Sequence, residues 1–203
     1  MQTVVSGVLT SYRTFGRGNK KNILILHGWG QSSKNWEYIG RALSKNYNVF
    51  LLDLPGFGDS SIPEAPFNTE DYSNFVRQFI KKIIKRKIIL IGHSFGGKIA
   101  IKLASKNPAD IEKLFLISPS GIESRSVITN LKIILAKIIK IALFWAPKNF
   151  KNLLLQKFGS RDYVNSGEMK ETFIKTVKEM VVDDAKSIRV PTIIIWGEND
   201  EEV

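Results

Sequence analysis

Cysteine is absent from the 203 residues, and histidine occurs only twice, at His27 and His93. The first absence excludes disulfides, thiolate nucleophiles and cysteine-based zinc sites. The second, together with the lack of any His-Glu-x-x-His pattern, gives no reason to expect a catalytic metal, and nothing in the chain points to a cofactor. Acidic residues are also in short supply, 19 against 30 basic ones, for a net charge of +11. Lysine provides 22 of those 30. The lysines are scattered among isoleucines and asparagines, and no nucleic-acid-binding motif accompanies them. The excess therefore reads as compositional bias, and nucleic acid is not an expected partner. Long apolar runs are missing too. The most apolar window, residues 131–146, carries Lys132, Lys137 and Lys140 and is too short and too charged to cross a bilayer, so no transmembrane segment is expected. The opening residues Met1–Gly7 lack a basic stretch followed by an apolar one. No signal peptide is expected, and the expected location is the cytoplasm.

What is present is alternation. Five short apolar runs, Ile23–Leu26, Val49–Leu52, Ile88–Ile91, Leu114–Ile117 and Thr192–Trp196, are continuously hydrophobic, as strands of a parallel sheet buried on both faces are. The stretch Gly7–Phe15 alternates and suits an antiparallel edge strand. Helical patterns lie between the runs, at Lys34–Lys45, Thr69–Lys85 and Phe95–Lys106, with Thr69 placed as the cap ahead of Glu70 and Asp71. Strands alternating with helices imply right-handed crossovers and an α/β fold, a mostly parallel twisted sheet flanked by helices. The alternation stops after Ser118. From about Gly121 to Lys186 only helical segments appear, an insertion far longer than an ordinary connection. The expected organisation is a core over 1–120, a helical cap over 121–187, and a returning core strand with its loop over 188–203. Residues 131–145 form an amphipathic pattern whose apolar side suits packing on the core, the wall of a lipophilic pocket, or a membrane surface.

The chemistry concentrates at Gly92-His93-Ser94-Phe95-Gly96, which follows a strand-like run and opens a helical one. A Gly-x-Ser-x-Gly pattern at a strand-to-helix turn marks a serine nucleophile, presented on a turn too tight for side chains beside it. Acyl transfer through Ser94 also needs donors for an oxyanion. The Phe95 amide, at the start of the helix, is one. The loop His27-Gly28-Trp29-Gly30 ends the run Ile23–Leu26 and offers the Trp29 amide as the second. His27, Gly28, Gly92, His93 and Gly96 are supporting residues in this arrangement.

Four segments in order, His27-Gly-Trp-Gly30, Asp53-Leu-Pro-Gly-Phe-Gly-Asp-Ser60, Gly92-His-Ser-Phe-Gly-Gly97 and Pro191-Thr-Ile-Ile-Ile-Trp-Gly-Glu-Asn-Asp200, resemble the successive signatures of the α/β-hydrolase superfamily. The resemblance runs nearly end to end. It implies an eight-stranded, mostly parallel sheet with a helical cap between strands six and seven, and a Ser–His–acid triad. Serine at the elbow argues against the haloalkane dehalogenase and epoxide hydrolase branches, whose elbow residue is aspartate. By the same resemblance Asp200, three residues after Gly197, is the triad acid, holding the histidine and stabilising its imidazolium. Asp53 matches a recurrent loop position and is expected to be structural.

The resemblance also implies a triad histidine some tens of residues after the acid, whereas the sequence ends at Val203. His93 is bonded to Ser94 and expected to turn away from its hydroxyl; His27 is expected to brace the oxyanion loop. The expectation is therefore a serine hydrolase of small-molecule carboxylic esters, with the chain a fragment that lacks the last strand and the catalytic histidine. A non-catalytic binding protein, an acyltransferase and a C–C bond hydrolase share the same motifs.

Overall fold

The computed structural model describes residues 1–122, 162, 165–198 and 200. Seven strands form one sheet: β1 (Gln2–Val5), β2 (Val8–Phe15), β3 (Asn22–Leu26), β4 (Asn48–Leu52), β5 (Ile88–His93), β6 (Ile111–Ile117) and β7 (Thr192–Ile195), in the order β1-β2-β4-β3-β5-β6-β7. From β4 across to β7 every pairing is parallel, while β1 and β2 are antiparallel additions. All five continuous apolar runs are strands of the parallel part.

The stretch Gly7–Phe15 is antiparallel, as its alternation suggested, but it is not the edge of the sheet. The four residues of β1 lie outside it, joined by Ser6 and Gly7 at φ +47° and +82°. Positive φ at both central residues matches the twist of a two-residue hairpin, so the Ser-Gly pair was the signal for this extra strand.

Helices α1 (Glu37–Leu43), α2 (Thr69–Phe79) and α3 (Phe95–Lys106) fill the crossovers. A 3-10 turn over Ser33–Trp36 leads into α1, and α2 continues into a π-type turn over Ile80–Ile84. The cap of α2 is Asn68 rather than Thr69. The Asn68 side chain accepts the Asp71 amide, and Asp71 Oδ2 accepts the Asn68 amide, both at 2.9 Å. A capping box needs its acid three residues on, and Asn68 meets that spacing with Asp71 where Thr69 does not.

The continuous hydrophobicity of the strands is explained by burial on both faces. Leu24, Leu26, Leu90 and Leu114 face α2 and α3, packing with Phe75, Phe79, Ile99 and Leu103. Ile23, Ile25, Val49, Leu51 and Ile89 face the other way, against Trp36 and Leu43 at α1. Beyond β6, the described residues form a 3-10 turn over Gly167–Met169, then α4 (Lys170–Lys178) and α5 (Val182–Lys186), before β7. The amphipathic pattern at 131–145 lies outside the described residues. No helix among the described residues is long and apolar enough to cross a membrane.

Candidate active site

Parallel strands deliver their following loops to one end of the sheet, and the register shows which loops meet. His93 of β5 aligns with Ile117 of β6 and Ile195 of β7, and Leu26 of β3 aligns with Gly92. The loops after β3, β5 and β7, carrying His27–Gly30, Ser94 and Asp200, therefore share the carboxyl end. Ser94 and Asp200 follow strands two places apart, a separation of about 10 Å at ordinary strand spacing.

Ser94 stands between β5 and α3 at φ +47° and ψ −112°, a conformation costly for any residue with a Cβ. Its amide donates to the Ile117 carbonyl (3.0 Å), and its own carbonyl accepts the Lys98 and Ser120 amides (3.1 and 3.2 Å). Gly96 is required by close approach: a Cβ there would overlap the Leu26 carbonyl oxygen and sit 2.6 Å from that of His27. The elbow and the loop after β3 are thus packed backbone to backbone. Phe95, whose amide is in the first turn of α3 and so has no intrahelical acceptor, puts its ring 5.2 Å from that of Trp29.

His27 is 1% exposed and both ring nitrogens are committed. The Leu54 amide donates to Nε2 (3.1 Å), so the proton is on Nδ1, which donates to the Gly28 carbonyl (2.8 Å). Burial lowers the pKa of His27 to about 4, against smaller upward contributions from the Gly28 hydrogen bond and Asp53. The Gly28 carbonyl also accepts the Gln31 amide (3.2 Å), and the Gly28 amide donates to Gln31 Oε1 (3.2 Å). Two donors hold that carbonyl in one direction. In a trans peptide the C=O and the following N–H point oppositely, so the Trp29 amide is turned outward from the loop.

His93 lies against the same loop. Its Nδ1 would be 3.0 Å from a Cβ on Gly28, and its ring is 5.8 Å from Trp36. Its Nδ1 is buried without a hydrogen-bond partner among the described residues. Burial lowers its pKa, and the nearby charge of Asp200 works in the other direction. The Asp200 amide closes a turn onto the Gly197 carbonyl (3.2 Å).

Asp53 stands behind the site as an anchor. It is 1% exposed, and its carboxylate accepts the Ser33 and Asp59 amides at 2.6 and 3.2 Å. Two residues at the site were not singled out by the sequence. Phe173 of α4 places its ring 5.0 Å from Trp29, and Met169 packs on Gly56 so closely that a Cβ there would overlap its thioether. Neither sits in a motif; both arrive from the long segment between β6 and β7. No group of three or more metal-ligating side chains occurs among the described residues.

A family model described as alpha/beta hydrolase fold matches residues 21–158. The chain is 34% identical over 111 residues to a pimeloyl-[acyl-carrier protein] methyl ester esterase of Aeromonas salmonicida, covering 54% of this chain and 41% of that protein. It is 33% identical over 116 residues to a soluble epoxide hydrolase of a Corynebacterium species, covering 57% of this chain and 40% of that one. These matches span about two-fifths of each relative. A crystal structure of a membrane phospholipase A, a bacterial virulence factor, superposes with a TM-score of 0.77 at 25% identity, over 98% of this chain and 70% of that one. With the strand order, the turn at Ser94 and a family match over most of its length, the chain belongs to the alpha/beta hydrolase fold family.

Proposed function

We propose that Ser94 is the nucleophile of a carboxylic-ester hydrolase. The observation that carries this reading is the strained backbone of Ser94 at the strand-to-helix turn, hard against the glycine loop after β3. Strain of this kind persists where the surroundings hold it, and it belongs to serine-nucleophile elbows. A relative that is a methyl ester esterase and a structural neighbour that is a phospholipase support ester chemistry. An epoxide hydrolase is also similar, but serine at position 94 argues against that reaction here.

In the proposed reaction Ser94 Oγ attacks the ester carbonyl carbon while a base removes its proton. The Phe95 and Trp29 amides stabilise the oxyanion; the tetrahedral adduct collapses and expels an alcohol, which takes up the proton. Water then attacks the acyl-enzyme, releasing a carboxylic acid and restoring Ser94. Asp200 is assigned the triad acid, the partner of a histidine base. His27 is excluded from the base role by its two committed nitrogens and remains a brace. Residues 121–187 are assigned to a cap over the site.

The test is labelling by a fluorophosphonate and hydrolysis of short p-nitrophenyl esters, each with and without added imidazole. The 203-residue chain is expected to react slowly, at least about 10³-fold below a complete triad, and to be accelerated by imidazole acting as the base. Ser94→Ala must abolish the labelling, and must reduce ester hydrolysis to the rate of buffer and imidazole without protein. Label retained in that variant overturns the assignment.

A further inference from the structure

Lys98 is one turn beyond Ser94 on α3 and only 4% exposed. An ammonium at that depth has to be hydrogen-bonded, and its Nζ donates to the carbonyls of Thr176 (2.9 Å) and Glu179 (3.0 Å). These lie at the carboxyl end of α4, where carbonyls lack helical donors and the helix dipole is negative. The chain bends around the lysine. Gly121, at φ +80°, leaves room for its stem, since a Cβ there would be 2.5 Å from Lys98 Cε, and the Gly121 carbonyl accepts the Val181 amide at 2.9 Å. The backbone amide of Lys98 meanwhile donates to the Ser94 carbonyl at 3.1 Å. A single residue therefore joins the turn that carries Ser94 to the last turn of α4. One turn earlier on α4, Phe173 leans on Trp29, whose ring also meets Phe57 and Phe95.

We propose that Lys98 is a positioning residue for the Ser94 site: by clamping the carboxyl end of α4 it holds Phe173 against Trp29 and so fixes the wall over the oxyanion loop. The inference rests on the reading of Trp29 as an oxyanion donor. A lysine that merely filled space could be exchanged for an apolar side chain of similar length without consequence at Ser94. A clamp cannot, because an apolar side chain takes the ammonium from the Glu179 carbonyl, leaves the Thr176 carbonyl only the Glu179 amide at 3.3 Å, and frees α4 to shift.

The experiment compares the wild-type chain with Lys98→Met, Lys98→Arg, Phe173→Ala and the Lys98→Met/Phe173→Ala double variant, in the presence of imidazole. Two quantities are read: amide hydrogen exchange over residues 170–181 and the rate of fluorophosphonate labelling at Ser94. Lys98→Met is expected to speed exchange there by about tenfold or more, and to slow labelling by about tenfold. Lys98→Arg, which keeps the charge, should fall between it and wild type in both. Phe173→Ala should slow labelling to a similar degree while exchange in the last turn of α4 stays within about twofold of wild type. The double variant should label no more slowly than the slower single one, because both act through one contact. Multiplying losses in the double variant, or fast exchange with unchanged labelling in Lys98→Met, overturns the proposal. Should Lys98→Met fail to fold, Lys98→Arg alone and combined with Phe173→Ala makes the same comparison. A wild-type chain that takes no label sinks the serine-hydrolase reading instead. The clamp is then judged by exchange and by the Trp29 fluorescence, taken as the difference from Trp29→Phe, which Lys98→Met must alter.

Discussion

Leu54 donates its backbone amide to His27 Nε2 across 3.1 Å, and this bond exists only while the imidazole is neutral. The folded state holds His27 at a pKa of about 4, against an ordinary value of 6.5. Between those two pH values the unfolded chain binds a proton that the folded chain refuses. Stability is therefore whole above pH 6.5 and is lost as pH falls toward 4. The expected loss from this one group is about 3 kcal/mol between pH 7.5 and pH 4. Urea unfolding at a series of pH values checks it: His27→Gln should be less stable at neutral pH but show a flatter profile across this window. An unchanged slope in the variant would assign the acid sensitivity to other groups.

Ser94 carries a Cβ at φ +47° and ψ −112°, and glycine would relieve that strain. Ser94→Gly is expected to raise stability by about 1 kcal/mol while removing fluorophosphonate labelling altogether, the exchange of stability for reactivity expected of a strained nucleophile. Ser94→Ala keeps the Cβ, so it should lose labelling with stability nearly unchanged. Chemical denaturation of the three proteins side by side measures the difference. A destabilised glycine variant would show that the turn is not strained at this position.

The parallel part of the sheet was legible because continuous apolar runs have a direct cause, burial on both faces, as with Leu24 against α2 and α3 and Ile25 toward α1. The start of α3 was legible for a different reason: the Gly-x-Ser-x-Gly turn marks where the strand pattern stops and the helical one opens, and the helix begins at Phe95. β1 was missed because four residues carry too little pattern, although the Ser6-Gly7 turn announced it. The cap at Asn68 was displaced by one residue because two good capping types are adjacent, and only the reach of Asp71 separates them. At the candidate site, the loops carrying His27–Gly30, Ser94 and Asp200 share one end of the sheet because each follows a parallel strand. Lys98 and Phe173 were not foreseen, since their partners lie 78 residues or more away in sequence and no local spacing encodes such contacts.

Asp53 accepts two backbone amides, one from Ser33 in the 3-10 turn ahead of α1 and one from Asp59 in its own loop after β4. Asparagine offers only one acceptor oxygen, and its amide group would face a donor with another donor. Asp53→Asn is expected to cost about 2 kcal/mol of stability, the range for a buried amide stripped of a charged partner. Labelling at Ser94 should stay within about twofold of wild type, because the anchor stands behind the loop rather than against the reacting atoms. Unfolding midpoints and labelling rates on the same preparation separate the two effects. A large loss of labelling without loss of stability would move Asp53 into the site.

β7 pairs with β6 along one side, and its isoleucines Ile193, Ile194 and Ile195 remain 51%, 57% and 49% exposed among the described residues. Among the described residues no strand pairs with the other side of β7; an edge left so offers amides and carbonyls flanked by branched apolar side chains, and can template another strand. The 203-residue chain is expected to associate as its concentration rises. A lysine within the strand disfavours such pairing through charge repulsion and the cost of burying an ammonium. Ile194→Lys should therefore shift the chain toward monomer in sedimentation velocity. Its melting temperature should stay within about 4 °C at a concentration where both proteins are monomeric, since a half-exposed side chain contributes little to the core. Equal association by both proteins would place the contact elsewhere on the molecule.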